Sequence, residues 1–144
     1  MRAPARWRLR ALTLADYRAV LALWRASEGI GLSEADRRPG IAAYLRRNRK
    51  MSVVAEAGGR IVGAVLCGHD GRRGYLHHLA VAPAWRRRGI GRALVAAALA
   101  RLRSAGIAKC NLFLYDANAA GRAFWLKHGW SAREDLVLMQ KPVR

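Results

Sequence analysis

LAVAPAWRRRGIGRALV, residues 79–95, decides the fold that we predict for this chain. An apolar run ends at Pro83, which cannot donate a hydrogen bond to a sheet and so ends a strand. A loop rich in arginine follows. From Ile90 to Leu102, apolar residues then recur at helical spacing, and the helix is predicted to cover residues 89–103. The stretch therefore predicts a strand, a short loop and a helix.

The junction between this strand and this helix is suited to binding an anion. A helix start offers unpaired backbone N–H groups and the positive end of the helix dipole. Gly89 and Gly91 lack a Cβ, so an anion can approach their backbone closely. Guanidinium groups around the glycines add two-pronged donors for phosphate oxygens. The arginines are Arg86, Arg87, Arg88 and Arg92. The alternative interpretation is a solvated charge run that caps a helix.

The rest of the chain alternates strand and helix patterns around this junction. Thr13 and Ser33 precede apolar residues at helical spacing and predict two helix starts. Gly58–Gly59 separates two strand-like runs and permits a tight hairpin turn. A further helix is predicted over residues 118–128. The predicted strands cover residues 6–12, 52–57, 60–70, 74–83, 110–115 and 136–140.

The order of elements is β-α-α-β-β-β-α-β-α-β, which predicts an α/β fold. The early strands form antiparallel hairpins. The fourth strand connects through a helix to the fifth, and such a crossover gives a right-handed parallel pair. We therefore expect one domain, residues 1–144, with a mixed, mostly antiparallel sheet and helices on both faces.

Composition limits the compartment and the partners. Lys plus Arg number 27 against 9 Asp plus Glu, a net charge of +18 that invites an anionic partner. The arginines are scattered, however, and no helix-turn-helix, RNP or zinc pattern occurs, so we expect no nucleic acid partner. Cys67 and Cys110 each lie in an apolar run, which favours buried thiols, no metal site and a cytoplasmic protein. No apolar run is long enough for a membrane span.

Two stretches resemble motifs of the GCN5-related N-acetyltransferases. Residues 79–81 and 86–91 are similar to motif A of that family, an apolar strand end followed by Arg/Gln-x-x-Gly-x-Gly/Ala at a helix start. NAAGRAFWLKHGW, residues 118–130, is similar to the family's C-terminal pattern Asn-x-x-Ala-x-x-aromatic-Tyr-x-x-x-Gly-aromatic. The element order and the length fit too, so the resemblance covers nearly the whole chain and implies the acyl-CoA N-acyltransferase fold.

The resemblance implies an acetyl-CoA site in a cleft where the fourth and fifth strands splay apart. The backbone of residues 79–81 would pair with the pantetheine arm, and N–H groups of the loop would hold the pyrophosphate. Acetyl would pass directly from the thioester to an amine, with acetyl-CoA as co-substrate and no metal. The implied cofactor-binding residues are Leu79, Ala80, Val81, Arg86, Arg87, Arg88, Gly89, Ile90, Gly91, Arg92, Asn118 and Trp125.

The chain departs from the family pattern at the positions of the usual catalytic residues. Trp125 stands where many members have a tyrosine that protonates the leaving thiolate, and an indole N–H is not a useful acid. Gly121 replaces the usual alanine. Phe113 aligns with the glutamate that some members use as base. Tyr75 and Tyr115 are then the candidate acids, with unaided thiolate departure as the alternative.

Histidines on the fourth strand are the candidates for the base. Some relatives place histidines at positions that match Tyr75 and His77. Strand periodicity puts these two on one face and His78 on the other. A histidine suits proton transfer near neutral pH, so we prefer His77, with His78 second. The alternative is a histidine held by structural hydrogen bonds.

The acceptor is open at this point. Among the carboxylates of the first two helices, Asp16, Glu28, Glu34 and Asp36, Glu28 is our first candidate for binding an ammonium group, against a role as a helix cap. A small amine, an amino acid or a peptide amino group fits, on a monomer or a homodimer. The rival functions are a non-catalytic acyl-CoA sensor and a basic nucleic-acid- or ribosome-binding protein.

Overall fold

A computed structural model describes residues 6–144 of the chain. Its strands are β1 Arg8–Ala11, β2 Val53–Ala57, β3 Arg60–His69, β4 Gly74–Val81 and β5 Cys110–Leu112. Its α-helices are α1 Tyr17–Arg25, α2 Arg38–Arg47, α3 Ile90–Ser104 and α4 Ala119–Lys127. Single 3-10 turns precede α1, α2 and α3, over Leu14–Asp16, Glu34–Asp36 and Pro83–Trp85.

The five strands form one sheet in the order β1-β2-β3-β4-β5. The first four pair antiparallel, and β4 pairs with β5 in parallel through the α3 crossover. Gly58 and Gly59 both have positive φ in the β2–β3 turn, as the two-residue hairpin requires. The mixed sheet predicted from the sequence is therefore confirmed.

Helices cover both faces of this sheet. On one face α1 and α2 pack over a core that includes Val20, Trp24 and Ile41. On the other face α3 presents the apolar stripe predicted for it, with Ile90, Leu94, Ala98 and Leu102 all buried. A Cβ on Gly63 of β3 would lie 3.0 Å from the side chain of Ile90, so glycine permits α3 to approach the strand closely.

The C-terminal part of the chain differs from the prediction. The described chain divides into two compact units, one ending at Phe113 and the other Leu114–Arg144. β5 ends at Leu112 rather than at residue 115. The strand predicted over residues 136–140 is wrong: these residues form no strand and are exposed, Val137 and Met139 each to 85%. Apolar sequence alone does not make a strand, because a strand exists only where its backbone pairs with another.

No helix in the part of the chain that the structure describes is both long and apolar enough to cross a membrane.

Candidate active site

A gap opens in the sheet beside the second half of β4. β5 pairs with β4 from Gly74 to Leu76 and then ends. β4 continues to Val81, and on its other edge Ala80 and Val81 still pair with β3. Within residues 6–113, the backbone at 79–81 therefore has no strand partner on the β5 side. An unpaired strand edge of this kind can receive an extended ligand through main-chain hydrogen bonds.

The loop between β4 and α3 presents a run of unpaired backbone donors. Gly89 is the N-cap of α3 with φ +80°, and Arg87 also has a positive φ, +62°. Within the described chain, no hydrogen bond is formed by the backbone N–H groups from Arg87 to Arg92. A Cβ built on Gly89 meets no atom within 4 Å, so the space above this residue is open. The open backbone, the free donors and the helix dipole together suit a pyrophosphate.

The arginines of the loop divide into two pairs. Arg86 donates from Nε to the Val81 carbonyl at 3.1 Å, and Arg88 lies over the Trp85 ring at 4.6 Å, so both shape the loop. Arg87 and Arg92 make no such contact to a described residue, and all four arginines are exposed. None of the four pairs with a carboxylate among the described residues, so their positive charge is not neutralised and remains available to phosphates.

A β-bulge brings two consecutive histidines to one face of β4. Leu66 of β3 is opposite His77 and Ala64 is opposite Ala80, so β4 holds one extra residue between these pairs. His78 has φ +54°. The rings of His77 and His78 lie 6.4 Å apart, and each contacts an aromatic residue of α1 or α2. The prediction that His78 points to the opposite face from His77 is therefore wrong, because strict alternation ends at a bulge.

His77 lies in an aromatic setting on the face covered by α1 and α2. Its ring stacks with Tyr75 at 6.3 Å and with Phe113 at 6.2 Å, and it meets Tyr44 edge-on at 6.2 Å. Burial lowers the pKa of His77, the neighbouring His78 lowers it further, and Asp36 opposes the shift. His77 is thus neutral at pH 7, the state that a general base requires.

Three of the predicted site residues lie in the second unit. Asn118 is the N-cap of α4, and its Oδ1 accepts from the Gly121 N–H at 2.9 Å. A Cβ at Gly121 would lie 2.6 Å from the Asn118 side-chain amide, so an alanine here would require that amide to move. Trp125 packs against Trp130 with 5.0 Å between ring centroids, and Tyr115 is 60% exposed.

Two carboxylates considered for the acceptor site act as helix caps. Asp16 and Asp36 each accept a backbone N–H at 2.9 Å, from Thr13 and Ser33, at the starts of the two turns that lead into α1 and α2. Glu28, the preferred candidate, is exposed and makes no side-chain hydrogen bond to a described residue. For these two aspartates, the hydrogen bonds show the helix-cap role that the sequence left open as an alternative.

Sequence reasoning missed two features beside His77. Asp36 forms a 2.8 Å contact with Nε2 of His78 in addition to its cap. The Tyr44 hydroxyl is buried without a hydrogen-bond partner in the described structure, and burial raises its pKa. The sequence offered Asp36 as a carboxylate for the acceptor or as a helix cap, and its contact with His78 depends on the bulge of β4, which the sequence does not reveal.

The cysteines and the possible metal ligands offer no further reactive centre. Cys67 is buried as expected, while Cys110 is only half-buried. Burial raises the pKa of Cys67 to about 12 and that of Cys110 to about 11, so neither is a ready nucleophile. In residues 6–144, His, Cys, Asp and Glu side chains form no group of three that could hold a metal ion.

Comparison with known proteins agrees with this geometry. The model of the acetyltransferase (GNAT) family matches residues 17–130. An acetyltransferase of Pectobacterium atrosepticum is 34% identical over 105 residues, 73% of this chain and 74% of the relative. An acetyltransferase of Sodalis glossinidius is 29% identical over 126 residues, 88% of each chain.

The fold is shared with solved structures. The PaiA N-acetyltransferase from Thermoplasma acidophilum, crystallised in complex with coenzyme A, superimposes with a TM-score of 0.77 at 19% identity, covering 89% of this chain and 91% of that chain. The β4–α3 junction, the mixed sheet and the match over residues 17–130 agree on one assignment. The chain belongs to the GNAT family of acetyltransferases, enzymes that use acetyl-CoA as co-substrate.

Proposed function

We propose that this protein transfers the acetyl group of acetyl-CoA directly to a primary amine, and that residues 1–144 work as one domain. The acceptor is a small amine, an amino acid or an amino group of a peptide or protein. A net charge of +18 disfavours polycationic acceptors, because like charges slow their approach. The two free cysteines are in keeping with a cytoplasmic location.

The observation that carries this proposal is the run of unpaired N–H groups beside the gap in the sheet. The donors from Arg87 to Arg92 suit the pyrophosphate of coenzyme A, and the unpaired edge at 79–81 suits its pantetheine arm. Acetyl-CoA supplies an acetyl thioester, whose thiol leaves readily because its pKa is about 8.5. From the second unit, Asn118 and Trp125 are proposed to contact the arm and the thiol end.

His77 is the proposed general base. An alkylammonium group has a pKa near ~10, so the acceptor reaches the site protonated and must lose a proton before it attacks. The neutral imidazole of His77 can take that proton, directly or through one water. Tyr75 stacks on His77 and, with Tyr115, stays a proposed acid for the leaving thiol. We therefore expect replacement of His77 to lower the rate more than replacement of Tyr75 or Tyr115.

The function is tested by free-thiol release from acetyl-CoA over a panel of amines. We expect release that depends on both acetyl-CoA and one class of amine. Acetyl-CoA should also raise the melting temperature, since a ligand at a hundredfold excess over Kd adds about 2.7 kcal/mol of stability. Stabilisation without thiol release for any amine would identify an acyl-CoA sensor. No stabilisation, with tight salt-sensitive binding to DNA, would refute the acetyltransferase proposal.

The base is tested by His77→Ala, with His69→Ala as the control. His69 lies at the end of β3, where its Nδ1 accepts the Gly71 N–H. For wild type, kcat/KM should be flat near neutral pH and fall only below the ordinary histidine value of 6.5, because the pKa of His77 is lowered. His77→Ala should lose this acid limb and about 100-fold or more in kcat/KM. An unchanged profile would remove His77 from the mechanism.

A further inference from the structure

A second histidine beside His77 is held by a carboxylate in a nearly dry setting. Asp36 Oδ1 lies 2.8 Å from Nε2 of His78, and the two side chains are only 10% and 17% exposed. The pair joins the bulge of β4 to the turn before α2. It lies outside the cofactor gap, and the sequence pattern offered His78 only as a second candidate base and Asp36 only as a candidate for binding ammonium or capping a helix.

The pair is fixed from several directions. The Ser33 N–H donates to Oδ2 of Asp36, and the Tyr17 hydroxyl donates to the Asp36 carbonyl at 2.8 Å. Trp24 donates from Nε1 to the His78 carbonyl at 3.1 Å, and its ring packs 5.0 Å from the imidazole. Because the carboxylate accepts at Nε2, that nitrogen carries hydrogen in the neutral ring, and Nδ1 is the nitrogen left to accept a proton.

Nδ1 of His78 has access to water. It makes no hydrogen bond to any described residue. In residues 6–144, the only buried side-chain nitrogen or oxygen that lacks a hydrogen-bond partner is the Tyr44 hydroxyl, so an atom without a partner elsewhere must reach the surface. Nδ1 is therefore not sealed inside the protein, and the same argument holds for the ring nitrogens of His77. The ring centroids of the two imidazoles lie 6.4 Å apart.

His77 and His78 have different surroundings. A proton on His77 is poorly stabilised, because burial and the neighbouring His78 both lower the pKa of this ring. His78 has a carboxylate in direct contact, so its imidazolium would form an ion pair there. The other groups that face the two rings are aromatic side chains of α1, α2, β4 and the residue that follows β5. They are Trp24, Tyr44, Tyr75 and Phe113.

We propose that the His78–Asp36 pair receives the proton that His77 removes from the acceptor amine. The ammonium N–H bond breaks, the proton passes to His77 and then through a water to Nδ1 of His78. The resulting imidazolium rests against the Asp36 carboxylate and releases the proton to solvent, which restores both neutral rings. His78 and Asp36 act through His77 and do not touch the substrate. This proposal rests on the proposed function.

The test compares Asp36→Asn and His78→Asn with Asp16→Asn. Asparagine retains the shape of aspartate without its charge, and it tolerates the positive φ of position 78. Asp16 is a matched control, because it caps the turn before α1 as Asp36 caps the turn before α2, at the same 2.9 Å. Each variant is assayed with acetyl-CoA and the best amine of the panel, in dilute buffer and with increasing imidazole.

We expect kcat to fall about 10- to 100-fold in Asp36→Asn and His78→Asn, less than the roughly 100- to 10,000-fold typical of a group that takes the proton directly, because the pair acts through His77. The KM for acetyl-CoA should change less than twofold, and added imidazole should restore kcat in both, since free imidazole can take the proton to solvent. Asp16→Asn should retain the wild-type kcat. A loss of stability alone would not respond to imidazole.

The proposal is overturned if kcat stays within twofold of wild type, or if imidazole restores none of the loss. Should Asp36→Asn fail to fold, His78→Asn decides, because its backbone contact with Trp24 does not involve the replaced side chain. Failure of the proposed function gives a different result: wild type itself would then release no thiol in response to amines.

Discussion

Replacing Gly89 by alanine separates the binding of coenzyme A from the stability of the fold. Gly89 has φ +80° at the N-cap of α3, and Gly106 has φ +81° just beyond the C-terminal end of the same helix. A Cβ on either residue meets no atom within 4 Å. The two substitutions therefore impose the same backbone strain with no clash, and only one of them lies beside the unpaired N–H groups.

The expected magnitudes follow from this pairing. An alanine in the left-handed region costs about 1–2 kcal/mol, so both variants should melt roughly 3–6 °C below wild type. In Gly89→Ala, the Cβ also occupies the space above the loop, and relaxation towards negative φ turns the N–H groups away. Loss of one hydrogen bond to a charged phosphate is worth about 1.5–3 kcal/mol. The Kd for coenzyme A should thus rise about 10- to 100-fold.

The assay is calorimetric titration of coenzyme A into wild type and both variants, with melting curves on the same samples. Gly106→Ala should bind as wild type does while sharing the loss of stability. If Gly89→Ala binds coenzyme A as tightly as Gly106→Ala, the pyrophosphate does not sit on this loop, and the reasoning from the free N–H groups is refuted.

Three further predictions concern the core, a partly buried ion pair and the second unit. Leu94→Ala should lower the unfolding free energy by about 2–5 kcal/mol in a denaturant titration, because Leu94 of α3 is fully buried against the sheet. Hydrogen bonds from Arg10 lower the pKa of Asp16, so Asp16→Asn should cost about 1–3 kcal/mol at pH 7, and the difference from wild type should vanish as pH falls through that lowered pKa. Trp125→Phe should retain most of the wild-type kcat. If this variant loses activity while it still binds acetyl-CoA, the indole N–H is needed for the reaction.

Local pattern was enough to predict the sheet and the junction between β4 and α3. Helix stripes, the Gly58–Gly59 turn and the crossover each depend on residues close in sequence, and each is as expected. The position of Gly89 at a left-handed N-cap also follows from its residue type. The loop proposed to bind the cofactor was thus the part of the site most accessible to sequence reasoning.

The arrangement around the histidines depends on pairing between strands, which a single sequence does not carry. Period-two alternation placed His77 and His78 on opposite faces, but one extra residue in β4 relative to β3 brings them to the same face. The contact between His78 and Asp36 joins residues 42 positions apart and exists only because of that bulge. The strand predicted at residues 136–140 failed for a related reason, since apolar sequence does not specify a partner.

The central claim is that coenzyme A binds the backbone of the β4–α3 junction, and amide NMR tests it most directly. In a titration of isotope-labelled protein with coenzyme A, we predict that the largest amide shifts fall on residues 87–92 and 79–81. Pantetheine, which lacks the pyrophosphate, should shift residues 79–81 and leave 87–92 almost unchanged. Largest shifts on scattered surface arginines, such as those of α1, would contradict the account.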